Sequence, residues 1–224
     1  TTAPFSSILR GFILPKFFLE NCGAYLAAIR SIGRTEEYFY MPVFESAAMI
    51  PPQTRREALT EVRAQLDTVS GSILNIRVGG NDLSHAFGLR RPANRTIYDL
   101  RPVADILIDI VAAFGTQYVV SGPVWEYYSG EGWEEGLRRE MELDLLNGFT
   151  GKTVIHPNQI PVVNEMLRVS QRDYADARAI LNWDTGSGSL VSASEDGGRM
   201  NEYNTHSRWA RRIVLRAERY GVRA

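Results

Sequence analysis

The sequence predicts an α/β fold built on a parallel sheet and arranged as a barrel. Three observations carry this reading. Short apolar segments alternate with amphipathic helical ones along the first two-thirds of the chain, the rhythm of strand–helix–strand units. Lys16, Glu45, Asp82, Glu126 and His156 follow successive apolar segments. An open sheet would spread these groups along an edge, whereas a barrel gathers them at the mouth where such folds do their chemistry. Finally, no Gly-x-Gly-x-x-Gly follows any strand, and Gly151-Lys152-Thr153 lacks the glycine spacing and following helix of a phosphate loop.

The first predicted strand is Gly11 to Phe18, apolar and β-prone, with Pro15 tolerable at a strand end and Lys16 therefore near a rim. A short helix, Glu20 to Ile29, places Tyr25, Leu26 and Ile29 at helical spacing. Tyr38 to Phe44 is the second strand, ended by Glu45-Ser46. After Pro51-Pro52, Arg55 to Val69 has Ala58, Leu59, Val62, Leu66 and Val69 on one helical face. The central strand, Ile73 to Val78, runs into Gly79-Gly80-Asn81-Asp82, where two glycines permit a turn and close backbone approach. Asp82 then has two readings: a carboxylate aimed into a barrel mouth, or an N-cap for Leu83 to Phe87. Arg90, Arg91 and Arg95 read as a solvated basic loop.

Tyr98 to Phe114 is a helix with Val103, Ile106, Leu107, Ile110, Val111 and Phe114 on one face. Gln117 to Val120 is a short strand leading to Ser121-Gly122-Pro123-Val124-Trp125-Glu126, and Trp133 to Leu146 is a helix with Glu and Arg outside. Gly148 to His156 is the last barrel strand. The barrel part is expected over 1–164 and a helical extension of the same domain over 165–224. The extension has helices at Asp173 to Leu181 and Asn204 to Tyr220. Between them lies a Gly/Ser-rich mobile loop over 185–198, with Asp184, Glu195 and Asp196.

Composition narrows the function classes. A chain of 224 residues that is 44% hydrophobic can bury a large core. A formal net charge of −1 gives no electrostatic case for nucleic acid or an anionic membrane. No apolar run approaches the roughly 20 residues of a membrane span. The single cysteine, Cys22, excludes an internal disulfide and fits a reducing compartment, so a soluble cytoplasmic protein is expected. The start, Thr1-Thr2-Ala3-Pro4, runs almost directly into a strand, which suggests residues before it in the natural protein.

The motif Gly148-Phe149-Thr150-Gly151-Lys152-Thr153-Val154-Ile155-His156-Pro157-Asn158-Gln159-Ile160 resembles the last-strand signature of the HpcH/HpaI aldolase and citrate lyase β-subunit superfamily. Leu14-Pro15-Lys16, Val43-Phe44-Glu45-Ser46, Gly79-Gly80-Asn81-Asp82-Leu83 and Asp196-Gly197-Gly198-Arg199-Met200 resemble four further motifs of that family, in its order. Ile76 to Leu83 and Ser121 to Glu126 look most similar to its branch of TIM-barrel C–C bond lyases linked to tellurite-resistance gene clusters. The resemblance implies a TIM (β/α)8 barrel of which this chain supplies about the fourth to eighth strands. The family's first three strands, one with a substrate-contacting arginine, have no counterpart here.

The same resemblance implies a carbon–carbon lyase acting through an enolate, with Mg²⁺ or Mn²⁺ held by Glu45 and Asp82 and chelating substrate oxygens. Glu45, Asp82, Arg77 and His156 are the candidate catalytic residues; Lys16, Gly80, Asn81 and Glu126 are the candidate substrate contacts. Arg77 either pairs with a carboxylate inside the barrel or binds a substrate carboxylate through its fork. His156 is either a proton carrier or a hydrogen-bonded structural group. Lys16 is either a Schiff-base amine or a rim charge, and the metal pair favours the latter. The expected substrate is a small carboxylate or an acyl-CoA-type thioester, and the expected assembly a homo-oligomer. Another metal-dependent enolising enzyme or hydrolase, or a non-catalytic binding protein on the same fold, are the rival readings.

Overall fold

The computed structural model describes residues 8–32, 38–183, 191–194 and 197–223. The first four residues, most of the Gly/Ser-rich loop, Asp184, Glu195 and Asp196 lie outside the described residues. The chain divides into two compact units, Thr1–Ile160 and Pro161–Ala224.

The first unit contains five strands: β1 (Gly11–Leu14), β2 (Phe39–Phe44), β3 (Ile76–Val78), β4 (Val120–Gly122) and β5 (Gly151–Lys152). They pair side by side in chain order, every pair parallel. The connecting helices are α1 (Leu19–Ser31), α2 (Pro52–Asp67), the short α3 (Gly80–Ala86), α4 (Arg101–Phe114) and α5 (Trp133–Leu146). Because neighbouring strands are in register, one pleat face carries Val43, Arg77, Ser121 and Gly151 in a row. Tyr40, Phe44, Ile76, Val78 and Val120 are at most 3% exposed and belong to the same apolar core as Leu59, Val62 and Leu66 of α2 and Val103, Ile106 and Ile110 of α4. The α2 and α4 periodicity thus finds the core that the sequence assigns to it.

Strand limits differ from the sequence reading for local reasons. β1 stops at Leu14 because Pro15 offers no N–H and Lys16 turns to φ +50°. The run from Ile73 begins as a strand only at Ile76, since Ser70–Ser72 forms a 3₁₀ turn and Ile73 makes an isolated bridge to Tyr40. Gln117 and Tyr118 are claimed by the end of α4, both donating to the Phe114 carbonyl, so β4 starts at Val120. Gly148, at φ +97°, closes α5 instead of opening β5. Beyond Lys152 the main chain leaves the ladder: the Ile155 N–H donates to the Gln159 side chain at 2.9 Å. The helix α6 (Gln159–Met166), absent from the sequence reading, follows.

In the second unit, β6 (Val169–Ser170) pairs with β9 (Val222–Arg223), while α7 (Gln171–Leu181) and α8 (Tyr203–Tyr220) enclose Val169, Ala177, Ile180, Ala210, Ile213 and Ala217. The loop expected over 185–198 is corrected in part: Val191–Ala193 is a strand, β7, antiparallel to β8 (Met200–Glu202). Arg199, just before β8, ion-pairs with Asp173 and Asp176 at 2.9 and 2.5 Å and lies over the Trp209 ring. No helix among the described residues is long and apolar enough to cross a membrane.

Candidate active site

Parallel pairing puts the C-terminal ends of all five strands on one edge, and three of those ends meet. Lys16, just past β1, has its main chain fixed from both sides: the Tyr25 hydroxyl donates to the Pro15 carbonyl at 2.8 Å, and the Asn21 amide donates to the Lys16 carbonyl at 2.6 Å. A left-handed φ at a lysine is a conformation that only surrounding contacts sustain. The Lys16 N–H donates to Glu45 Oε1 at 3.0 Å, and the Lys16 ammonium donates to Asp82 Oδ1 at 3.0 Å. Hydrogen bond and charge from Asp82 together hold the Lys16 amine above its ordinary basicity.

Glu45 follows β2 directly, and its carboxylate lies across Gly79. A Cβ built at Gly79 would sit 2.3 Å from Glu45 Oε2, so only glycine leaves the carboxylate its place. Asp82 occupies the first turn of α3, whose N-cap is Gly79 with no side-chain cap. The capping alternative for Asp82 is therefore not the one the fold adopts; its carboxylate faces Lys16 instead. Gly80 is buried, and a Cβ there would approach Ile97 and Pro123 at 2.5 and 2.7 Å, so its backbone packs against the loop that follows β4.

The other candidates sit along the same edge without joining this cluster. Arg77, in the middle of β3, reaches across the pleat face to the Thr153 hydroxyl at 3.4 Å, and no carboxylate among the described residues pairs with it. Glu126 pairs with Arg90 at 3.5 Å. Asn81 and Glu126 share a cavity of about 420 Å³ with Ser84, His85, Arg90 and Arg91. His156 stacks on Tyr128 with centroids 4.3 Å apart, and its Nδ1 accepts from the Asn158 N–H at 3.1 Å. That bond leaves the imidazole hydrogen on Nε2.

With this geometry in place, the comparison with known proteins is direct: residues 2–222 match the model of the C–C bond lyases of the TIM-barrel fold. The chain belongs to that family. It is also 38% identical over 74 residues to the L-malyl-CoA/β-methylmalyl-CoA lyase of Cereibacter sphaeroides, a match covering 32% of this chain and 22% of that lyase. Among solved structures it is similar to a citrate lyase of Burkholderia xenovorans, with TM-score 0.67, 16% identity and coverage of 96% of this chain and 65% of the other. It is similar too to the CitE protein of Mycobacterium tuberculosis, crystallised with magnesium, acetoacetate and coenzyme A. There the TM-score is 0.58, with 20% identity and coverage of 92% and 77%. These likenesses identify the fold as the TIM barrel, to which the described residues contribute five consecutive parallel strands.

In this member of the TIM-barrel C–C bond lyase family, sequence reasoning missed a second charged cluster. Arg91, read as part of a solvated loop, is 1% exposed. It ion-pairs with Glu140 at 3.0 Å and lies over Trp125. Lys152, entirely buried, bridges Glu140 and Asp144 at 2.7 and 2.8 Å, and the Tyr98 hydroxyl donates to Asp144 at 2.7 Å. Burial pushes the Asp144 carboxyl up, opposed by the Lys152 charge. A signal was present: Glu140 and Asp144 share the buried stripe of α5 with Gly136, Leu137 and Met141. Gln159 was missed as well. It is fully buried, its amide donating at 2.8 Å to both the Trp125 and Tyr127 carbonyls, which fixes the segment bearing Glu126.

Proposed function

We propose that this chain is the catalytic barrel portion of a metal-dependent carbon–carbon lyase acting on a small carboxylate or an acyl-CoA-type substrate. The observation that carries the reading is the convergence of Glu45 and Asp82 on Lys16 at adjacent strand ends. The donor set fits Mg²⁺ or Mn²⁺. Both groups are hard oxygen donors, Asp82 is half-exposed, and Gly79 keeps the face of Glu45 clear. Among the described residues no group of three or more His, Cys, Asp or Glu could hold a metal. Two carboxylates leave the remaining octahedral positions to water and substrate, as Mg²⁺ commonly requires. Such a cation, when bound, would stabilise negative charge building on substrate oxygens during the cleavage. Magnesium and coenzyme A in the M. tuberculosis relative and the malyl-CoA lyase match support the metal and the thioester class.

The chain's own residues then divide the work. Glu45 is oriented by the Lys16 N–H and Asp82 by its position in the first turn of α3, where a negative charge is favoured. Arg77 presents a guanidinium on the pleat face with a single weak contact to Thr153, available to fork onto a substrate carboxylate. His156, as the Nε2–H tautomer, is a hydrogen-bond donor in the loop four residues beyond β5. Asn81 and Glu126, on the cavity wall, would position the rest of the substrate, while Gly80 packs beneath them against Ile97 and Pro123. We place the enzyme in the cytoplasm, in keeping with a sole, buried, free cysteine, and as a homo-oligomer.

The test is calorimetric titration with Mg²⁺ and Mn²⁺ of wild type, Glu45→Gln and Asp82→Asn, with circular dichroism as the control for folding. Binding in wild type and its loss in both folded variants is expected; equal binding in all three overturns the site. Product analysis separates the readings of the reaction. Cleavage into two carbon fragments marks a lyase, and a single enolised or hydrolysed product marks the other enzyme classes. Absence of metal binding throughout points to a non-catalytic binding protein.

A further inference from the structure

The chain has two lysines against 23 arginines, and each ends on a carboxylate. Lys152 is buried between Glu140 and Asp144. Lys16 differs: its main chain is fixed by Tyr25, Asn21 and Glu45, while its side chain is 65% exposed and ends on Asp82 Oδ1. An ammonium is a compact charge that forms no bidentate fork, so one stronger cation can exchange it from a carboxylate. We propose that the Lys16 ammonium competes with the divalent cation for Asp82 and leaves that carboxylate when the metal is bound. This rests on the metal site proposed above.

The geometry supports an exchange for three reasons. The ammonium engages only one of the two Asp82 oxygens, and an ion pair this exposed contributes little by itself, so its release is cheap. The contact with Glu45 comes from the main-chain N–H, so it survives movement of the side chain. Because the Cα is anchored, the freed ammonium remains within a side chain's length of the mouth. A fixed surface bridge would show none of this coupling to metal.

Side-chain variants isolate the ammonium, since the N–H to Glu45 stays. In Mg²⁺ titrations at low ionic strength, Lys16→Met should bind on the order of tenfold more tightly than wild type, because a like charge beside the ion is removed. Lys16→Arg should bind no more tightly than wild type, the charge being kept. Lys16→Gln carries the same expectation as Lys16→Met if that variant folds poorly. Unchanged or weaker binding in the neutral variants, with wild type binding, overturns the competition and leaves the Glu45–Asp82 site standing. Binding in the neutral variants alone supports it in its strongest form. No binding in any variant overturns both readings.

Discussion

At the residue scale, the sharpest prediction concerns Gly79. A methyl group there would overlap the Glu45 carboxylate, 2.3 Å from Oε2 and 2.4 Å from its Cβ, so Gly79→Ala must move Glu45. We expect Mg²⁺ affinity to fall at least about tenfold, the range that displaced metal-site partners commonly cost. Circular dichroism should be unchanged, because Glu45 contributes little to the core. Affinity within twofold of wild type would show that Glu45 is not a ligand. Asp99 gives a pH-dependent counterpart. Its carboxylate accepts from the Thr96 N–H at 2.7 Å and from the Thr96 hydroxyl, which hold its carboxyl below the ordinary range. The ionised form is the stabilising one, so its contribution is complete above that range and disappears as pH falls through the depressed value. Asp99→Ala should cost about 1 kcal/mol at pH 7 and progressively less as the pH falls through the acid range, read from urea midpoints.

At the scale of elements, α5 and β5 are joined by charge as much as by apolar contact. Lys152 and Glu140 are fully buried and Asp144 nearly so. Removing one member leaves a partner uncompensated in a dry interior. Lys152→Met should therefore destabilise the protein by about 3–5 kcal/mol, while an exposed change such as Arg56→Met should cost less than about 1 kcal/mol. Equal urea midpoints for the two would deny the cluster its role. This cluster also marks the limit of what was legible. The apolar faces of α2 and α4 and the polar residues after β1, β2 and β3 could be read, because periodicity and Gly/Pro breaks announce them locally. Burial of Arg91, Glu140, Asp144 and Lys152 depends on partners 8 to 49 residues apart, and a charged residue on a helix reads as outward until its partner is known.

At the scale of the whole molecule, the order of short motifs was enough to place the chain in the TIM-barrel C–C bond lyase family, since the motifs at Lys16, Glu45 and Asp82 follow strands whose parallel pairing brings their ends together. Strand lengths were not legible to the same degree: turns at Ser70–Ser72, at the end of α4 and at Gly148 take residues whose side chains suit a strand. The placement of the proposed metal site yields a global prediction. Its two carboxylates lie at a rim and are already engaged by Lys16, Glu45 by the main-chain N–H and Asp82 by the ammonium, so the core does not depend on the ion. Chelation should leave the secondary structure intact and change Tm by no more than mass action on the bound ion dictates. Loss of circular dichroism on adding chelator would instead identify a structural metal.

Gly122 has a bearing on how this protein can vary. A Cβ at that position would fall 2.5 Å from Asp144 Oδ2, so the space a β4 side chain would fill is taken by a carboxylate from α5, itself neutralised by Lys152 on β5. Each single replacement among the three carries a cost. A side chain at 122 collides with the carboxylate, a neutral 144 leaves Lys152 to Glu140 alone, and a neutral 152 leaves Asp144 without its cation while Glu140 keeps Arg91. Gly122, Asp144 and Lys152 are thus coupled: the cost of replacing one depends on what stands at the other two, and an apolar trio of matching volume would lift it.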